Sequence, residues 1–140
     1  MRTNETLAIA ALNDQAGRVL VVRRRDTGFF TQPGTAIAPD DDPLDALRAA
    51  LWRDVGIALP RHAFAPSECP PSWKPSDPMR LVPTLGFAAA VRMPEVTPGE
   101  GIAEAVWVNP FDPHVGPLSP LTEDVILPRV ADAMVGWMGG

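Results

Sequence analysis

Charged side chains suited to phosphate or metal chemistry are concentrated in the segment Gly34–Ile57, GTAIAPDDDPLDALRAALWRDVGI. This segment contains an acidic run, Asp40–Asp42, and ends with the pair Arg53 and Asp54. Carboxylate oxygens are the ligands that Mg²⁺ and other hard cations prefer, and one guanidinium can hold two phosphate oxygens at once. These residue types therefore indicate phosphate chemistry, with or without a bound metal ion.

The element that positions these charges is a helix with clear start and stop signals. Asp42 is suited to cap its first turn, Pro43 stands at the first helical position, and Gly56 follows the last turn. Spacings of three and four residues give the helix one apolar face, made of Leu44, Leu47, Leu51 and Val55. We therefore expect this helix to pack on a core and to end at Arg53 and Asp54.

Strands are predicted on both sides of this helix. The β-rich runs lie over 6–12, 18–24, near 62–68, over 81–92 and around Trp107. The C-terminal segment Leu121–Met138 is predicted to be helical, with Ser119 as its N-cap and a kink or break at Pro128. This order of elements predicts one α/β domain over residues 1–140, with a mixed sheet between helices.

Composition excludes several classes of protein. The net charge is −5, and eleven arginines with one lysine form no basic run longer than RRR at 23–25, so we expect no duplex nucleic acid as a partner. No apolar run reaches the roughly 18 residues that cross a bilayer, so we expect no membrane partner. A single cysteine, Cys69, cannot form an internal disulfide, which favours a cytoplasmic location.

The order strand, QPG, acidic turn, capped helix and terminal glycine resembles the Nudix hydrolase family, whose signature is G-x5-E-x7-R-E-U-x-E-E-x-G-U, with U an aliphatic residue. The flanking stretches VLVVRR, GFFTQPG, EAVWVNPFD and PLSPLTEDVILP resemble the same family, so the similarity covers nearly the whole chain. The resemblance implies a Nudix-type α/β/α sandwich and a nucleoside diphosphate-type ligand. It also implies Mg²⁺ or Mn²⁺ as the cofactor of an active enzyme, or no cofactor in an inactive one.

Most of the carboxylates in that signature are replaced. When the chain is aligned on Gly56 and Ile57, the three metal-binding glutamates correspond to Ala50, Arg53 and Asp54. Moving the alignment back by one residue does not restore them, because the positions then hold Ala49, Trp52 and Arg53. The formal charge at these positions is about zero instead of −3, and an arginine repels a cation, so this is a poor site for a divalent ion.

Two functional hypotheses follow, and a third is kept beside them. The favoured one is a catalytically impaired domain that binds a nucleotide-like ligand through Arg23, Arg25, Arg53 and Trp73. The alternative is a Mg²⁺- or Mn²⁺-dependent hydrolase of a nucleoside diphosphate linked to another group. In it, Asp54 and Asp41 would act as catalytic metal ligands, with Glu104 or Glu100 as a further ligand. The third is a structural subunit that forms a homodimer.

Each candidate residue also has a structural interpretation. Asp54 is able to pair with Arg53 or Arg23 instead of a metal ion, and Arg53 with Asp54 or solvent alone. The acidic run Asp40–Asp42 is explained by capping and by favourable charge at the positive end of the helix dipole, which we favour. Trp73 can anchor its proline-rich loop to the core instead of stacking on a base.

Overall fold

The computed structural model describes residues 6–69, 71–74, 77–93 and 95–139. Its elements follow in chain order. They are β1 (Thr6–Asn13), β2 (Val19–Arg24), β3 (Phe30–Thr31), β4 (Gly34–Ile37), α1 (Pro43–Val55), a 3₁₀ turn (Arg61–Ala63), β5 (Ala65–Glu68), β6 (Ser72–Lys74), β7 (Asp77–Val82), β8 (Thr84–Ala90), β9 (Ile102–Val108), a π-helical turn (Thr122–Ile126) and α2 (Leu127–Gly139).

Seven of the strands in the described part of the chain form one mixed sheet. Its order is β3-β2-β1-β8-β5, with β4 also paired to β1 and β9 also paired to β2. The central pair β1 and β8 is parallel, and its neighbours in the sheet are antiparallel. Strands β6 and β7 form a separate two-stranded hairpin.

The two helices cover opposite faces of the sheet. Side chains of β2 alternate: Leu20 and Val22 share a buried cluster with the apolar face of α1, whereas Val19 and Val21 share one with Leu127 of α2. This arrangement confirms the predicted α/β/α sandwich with a mixed sheet. Across the described ranges, no helix has both the length and the apolar character needed to cross a membrane.

Helix α1 begins and ends where the sequence predicts. The Asp42 carboxylate accepts a hydrogen bond of 2.9 Å from the backbone N–H of Asp45, which satisfies one of the free donors of the first turn. Gly56 ends the helix with a φ of 72°, a left-handed conformation that glycine adopts without steric cost. Both ends of the helix are therefore fixed by local sequence.

Gln32, in the QPG stretch, fills a gap between two strands of the sheet. Its side chain is 2% exposed, and its Nε2 donates to the carbonyls of Ala10 and Leu20 at 3.0 and 3.5 Å. These carbonyls belong to β1 and β2, whose direct pairing is confined to Asn13 and Val19. The Gln32 amide thus replaces part of the missing strand ladder and holds the approach to β4 in place.

The structure departs from the predicted elements in three places. Pro83 breaks the strand predicted over 81–92 into β7 and β8, because proline has no N–H to contribute to a ladder. The short strands β3, β4 and β6 were not among the predicted strands. The C-terminal helix does not split at Pro128 but adopts a π turn just before it, where the Leu127 N–H donates to Thr122 O.

Candidate functional site

Asp54 contacts two arginines at the end of α1. It is 5% exposed. Nε and Nη2 of Arg53 donate to its two carboxylate oxygens at 2.8 and 3.1 Å, and Nη1 of Arg24 lies 3.8 Å from Oδ2. The hydrogen bond to Asp54 raises the pKa of Arg53 above its ordinary value, so the guanidinium is always charged.

Arg53 presents the unused edge of its guanidinium to solvent. The side chain is 60% exposed, and only Nε and Nη2 are engaged by Asp54. Within the ranges that the structure describes, its remaining N–H groups have no hydrogen-bond acceptor. A guanidinium held at one edge by a carboxylate and open at the other is able to bind an anion there.

Arg24 is a site residue that the sequence analysis missed. It lies at the end of β2 and faces α1, as its ion pair with Asp54 shows. A usable signal was present, because the two-residue period of the strand puts position 24 on the same side as Leu20 and Val22. The arginines predicted instead, Arg23 and Arg25, precede and follow Arg24 in the sequence.

Arg23 is engaged on the other face of the sheet. Its Nη2 and Nε donate to Oε1 of Glu104, opposite it on β9, at 2.6 and 3.0 Å. These two residues continue the side of the sheet on which Val21 and Val106 pack towards α2. The structure therefore does not bring Glu104 to the same site as Asp54, which lies on α1.

Arg25 is engaged with a loop that precedes β9. Its Nε donates to the backbone carbonyl of Glu100 at 2.6 Å. The carboxylate of Glu100 is not used in this contact. The remaining predicted contact, Trp73, has a side chain that lies outside the part of the chain that the structure describes.

Asp41 lies at the opposite end of the helix from Asp54. Its Oδ2 accepts a hydrogen bond of 3.0 Å from the N–H of Ala38, which closes the turn before α1. Asp54 is eleven positions after Pro43, the first residue of α1, a distance of roughly 16 Å along the helix axis. Asp41 and Asp54 cannot share one metal ion at that separation.

The residues present do not fit a divalent metal. The described ranges contain no group of three or more His, Cys, Asp or Glu side chains that could hold a metal ion. Both oxygens of Asp54 are occupied by Arg53, and Ala50, one turn earlier, is buried and offers no ligand. A cation at this place would have to compete with the guanidinium of Arg53 for Asp54, the one carboxylate that pairs with Arg53 in the described ranges.

Comparison by sequence alone gives no relative for this chain. No protein-family profile matches it, and no curated protein sequence matches it.

Comparison by structure gives many. A MutT Nudix hydrolase from Burkholderia pseudomallei has a TM-score of 0.75 and 19% identity, over 90% of this chain and 97% of that one. The Nudix domain of Shewanella oneidensis NrtR, in complex with ADP ribose, has a TM-score of 0.70 and 13% identity, over 92% and 88% of the two chains.

A third similar structure is larger than this chain. It is a bifunctional NMN adenylyltransferase/ADP ribose pyrophosphatase from Francisella tularensis in complex with AMP and a manganese ion, with a TM-score of 0.59 and 12% identity. The match covers all of this chain and 43% of that protein. Together with the α/β/α layers, the strand order and the capped helix α1, these likenesses show that the chain has the Nudix fold.

Proposed function

We propose that this domain binds a nucleoside diphosphate-type ligand through its phosphates without a divalent metal, and that its hydrolytic activity is impaired. The observation that carries the proposal is the pair of hydrogen bonds from Nε and Nη2 of Arg53 to the two carboxylate oxygens of Asp54. We call this pair the Arg53 fork. It puts a fixed positive charge at a helix position where the Nudix signature has a metal-binding glutamate. The ligand class is supported by two proteins of the same fold, which are bound to ADP ribose and to AMP.

The local charge favours an anionic ligand. Two guanidinium groups, Arg24 and Arg53, lie within 4 Å of the single carboxylate of Asp54, so the cluster carries a formal charge of +2 − 1 = +1. A phosphate can accept hydrogen bonds from the open edge of Arg53 and from Arg24 while Asp54 keeps both arginines in place. Binding of this kind needs no Mg²⁺ to bridge protein and phosphate.

Impaired hydrolysis follows from the presence of Arg53 where the Nudix signature has a metal-binding glutamate. A bound metal would polarise the pyrophosphate and lower the pKa of the attacking water, and the residues around Asp54 do not provide for one. Loss of a catalytic acid or base alone costs about 10²- to 10⁴-fold in rate. An arginine can still stabilise charge on a phosphate, but it does not produce a hydroxide.

The remaining predictions from the sequence concern further ligand contacts, the cellular location and the oligomeric state. Arg25 directly follows Arg24 at the end of β2, and Trp73 remains a predicted contact for a base. Arg23, which is bound to Glu104 on the other face of the sheet, remains a predicted contact apart from the cluster. A cytoplasmic location is also proposed, because it suits both the single cysteine and a nucleotide-like ligand. A homodimer remains a prediction.

A turnover assay tests the proposal. The protein is incubated with nucleoside diphosphates, triphosphates and nucleotide sugars, with Mg²⁺, with Mn²⁺ or with EDTA, and the nucleotide products are separated and quantified by ion-exchange chromatography. We expect negligible turnover under all conditions. Metal-dependent turnover that disappears in Asp54→Ala would show an enzyme rebuilt around fewer carboxylates, and would contradict the proposal.

A further inference from the structure

The loop Thr97–Gly101 is bound to the end of helix α1 at which Arg53 and Asp54 lie. Together with Arg24, these residues form the proposed phosphate-binding cluster. The N–H of Thr97 donates to Val55 O and the N–H of Gly99 donates to Asp54 O, both at 2.8 Å. These carbonyls belong to the last turn of the helix, which has no intrahelical donors for them. The loop therefore fixes the backbone of the residues that hold the Arg53 fork.

The same loop is bound to the strand that carries the second arginine. The N–H of Arg25 donates to Gly101 O at 3.0 Å, and the Nε of Arg25 donates to Glu100 O at 2.6 Å. Arg25 directly follows Arg24, the residue that pairs with Asp54. One short loop thus joins the end of β2 to the end of α1, the two segments from which Arg24 and Arg53 converge.

Gly99 makes this close approach sterically feasible. A Cβ at position 99 would overlap the carbonyl oxygen of Arg53 and would lie 3.3 Å from the Asp54 Cα. Both are backbone atoms and cannot turn aside as a flexible side chain can. Gly101, in the same loop, differs: a Cβ there would have nothing within 4 Å.

We infer that the loop Thr97–Gly101 sets the geometry of the phosphate-binding cluster, and that Gly99 is its positioning residue. The inference rests on the proposed function, because it assigns a purpose to the placement of Arg24 and Arg53. A side chain at position 99 moves the loop away from the helix end. The Arg53 fork and the distance between the two guanidinium groups then change, without any loss of charge from the cluster.

A ligand-free measurement tests this placement. The Nε–H of Arg53 is observed by ¹H–¹⁵N NMR, assigned with Arg53→Lys, in the parent, Gly99→Ala and the matched control Gly101→Ala. We expect exchange of this proton with water to be at least about tenfold faster in Gly99→Ala and unchanged in Gly101→Ala, because its hydrogen bond to Asp54 is weakened. An unchanged rate in Gly99→Ala, or an equal change in both variants, would overturn the inference.

A measurement on the parent protein covers the case in which Gly99→Ala does not fold. The backbone N–H groups of Thr97 and Gly99 are hydrogen-bonded to helix carbonyls, so both should exchange slowly. Exchange at the rates of an unprotected chain would overturn the inference.

Affinity for ADP in the presence of EDTA links the loop to ligand binding. We expect Gly99→Ala to bind ADP at least about tenfold more weakly than the parent, and Gly101→Ala to bind like the parent. Affinity unchanged in Gly99→Ala would contradict the positioning role. If the parent does not bind ADP, the proposed function fails, whereas the exchange of the Arg53 Nε–H still decides whether the loop positions the fork.

Discussion

Arg53 and Asp54 are consecutive residues of one helix, yet their side chains are joined by two hydrogen bonds, at 2.8 and 3.1 Å. Neighbouring side chains of a helix normally point in different directions. The long arginine side chain is bonded to a carboxylate that is nearly buried, at 5% exposure. The carboxylate of Asp54 is thus paired within the protein, and under the proposed function its partner Arg53 supplies the charge available to a ligand.

Removal of the Asp54 carboxylate should destabilise the protein. In Asp54→Ala, Arg53 loses both of its hydrogen bonds and Arg24 loses its ion partner. We expect the free energy of unfolding to fall by about 1–2 kcal/mol, a value limited by the exposure of the arginines to solvent. Urea denaturation measures it, with Asp41→Ala as an exposed control that changes stability by less than about 1 kcal/mol. Equal stability of Asp54→Ala and the parent would show that the fork contributes nothing.

Divalent metals should not stabilise the protein. An ion at 100 times its Kd would raise the free energy of unfolding by about 2.7 kcal/mol through mass action. Because Asp54 is already paired with Arg53, we expect no change in thermal midpoint when Mg²⁺ or Mn²⁺ replaces EDTA. A rise in the midpoint with Mn²⁺ that is absent in Asp54→Ala would instead identify a metal site.

The cap of α1 should give a pH dependence that requires Arg61, which is bonded to both Asp42 and Asp45. The hydrogen bond from Arg61, followed by the one from the backbone of Asp45, lowers the pKa of Asp42 below its ordinary value of 3.8. A carboxyl whose pKa is lower in the folded state stabilises the protein above its unfolded pKa, and this contribution is lost as the pH falls through the folded pKa.

Arg61→Ala tests that assignment. We expect the Asp42 pKa, followed by NMR, to move up towards 3.8 in the variant. The stability difference between parent and variant should be present at neutral pH and should shrink as the pH falls below that value. A difference that persists at lower pH would mean that Arg61 acts through packing and not through the carboxylates of Asp42 and Asp45.

Gln32 should be important for stability although it carries no charge. In Gln32→Leu the carbonyls of Ala10 and Leu20 lose their donor in a buried place, so we expect a loss of about 1–3 kcal/mol in the free energy of unfolding. Gln15→Leu, at an exposed turn position, is the matched control and should change stability by less than about 0.5 kcal/mol. Similar losses in the two variants would contradict the bridging role.

The parts of the fold that depend on local sequence could be predicted from the sequence. The Asp42 cap, the Gly56 stop and the apolar face of α1 are set by neighbouring residues. The cap and the stop occur as expected, and so does the face except for Leu44, which is half-buried and outside the core cluster. Strand β6 was missed inside the proline-rich stretch, although its partner β7 directly follows it. Strand β4 was missed because it is short and pairs with β1, which is distant in sequence. Such pairings are determined by tertiary contacts and not by the propensity of a few residues.

In the candidate site too, the features set by local sequence could be predicted and those set by tertiary contacts could not. The replacement of the glutamates by Ala50 and Arg53 is evident from the sequence, as is the possible pairing of Asp54 with Arg53. The role of Arg24 depends on how β2 packs against α1, a contact between residues thirty positions apart. Likewise, the docking of Gly99 on the helix end depends on a loop after β8 and leaves no local pattern.

The most direct test of the central claim is the affinity for ADP, measured by calorimetry with EDTA and with Mg²⁺, in the parent, Arg53→Ala and Arg61→Ala. Arg61 lies at the other end of α1, paired with Asp42 and Asp45, and serves as the control for loss of one exposed arginine. We expect the same Kd with EDTA and with Mg²⁺, at least about tenfold weaker binding by Arg53→Ala, and no change in Arg61→Ala. Binding that requires Mg²⁺, or that is unaffected by Arg53→Ala, would contradict metal-independent phosphate binding at this site.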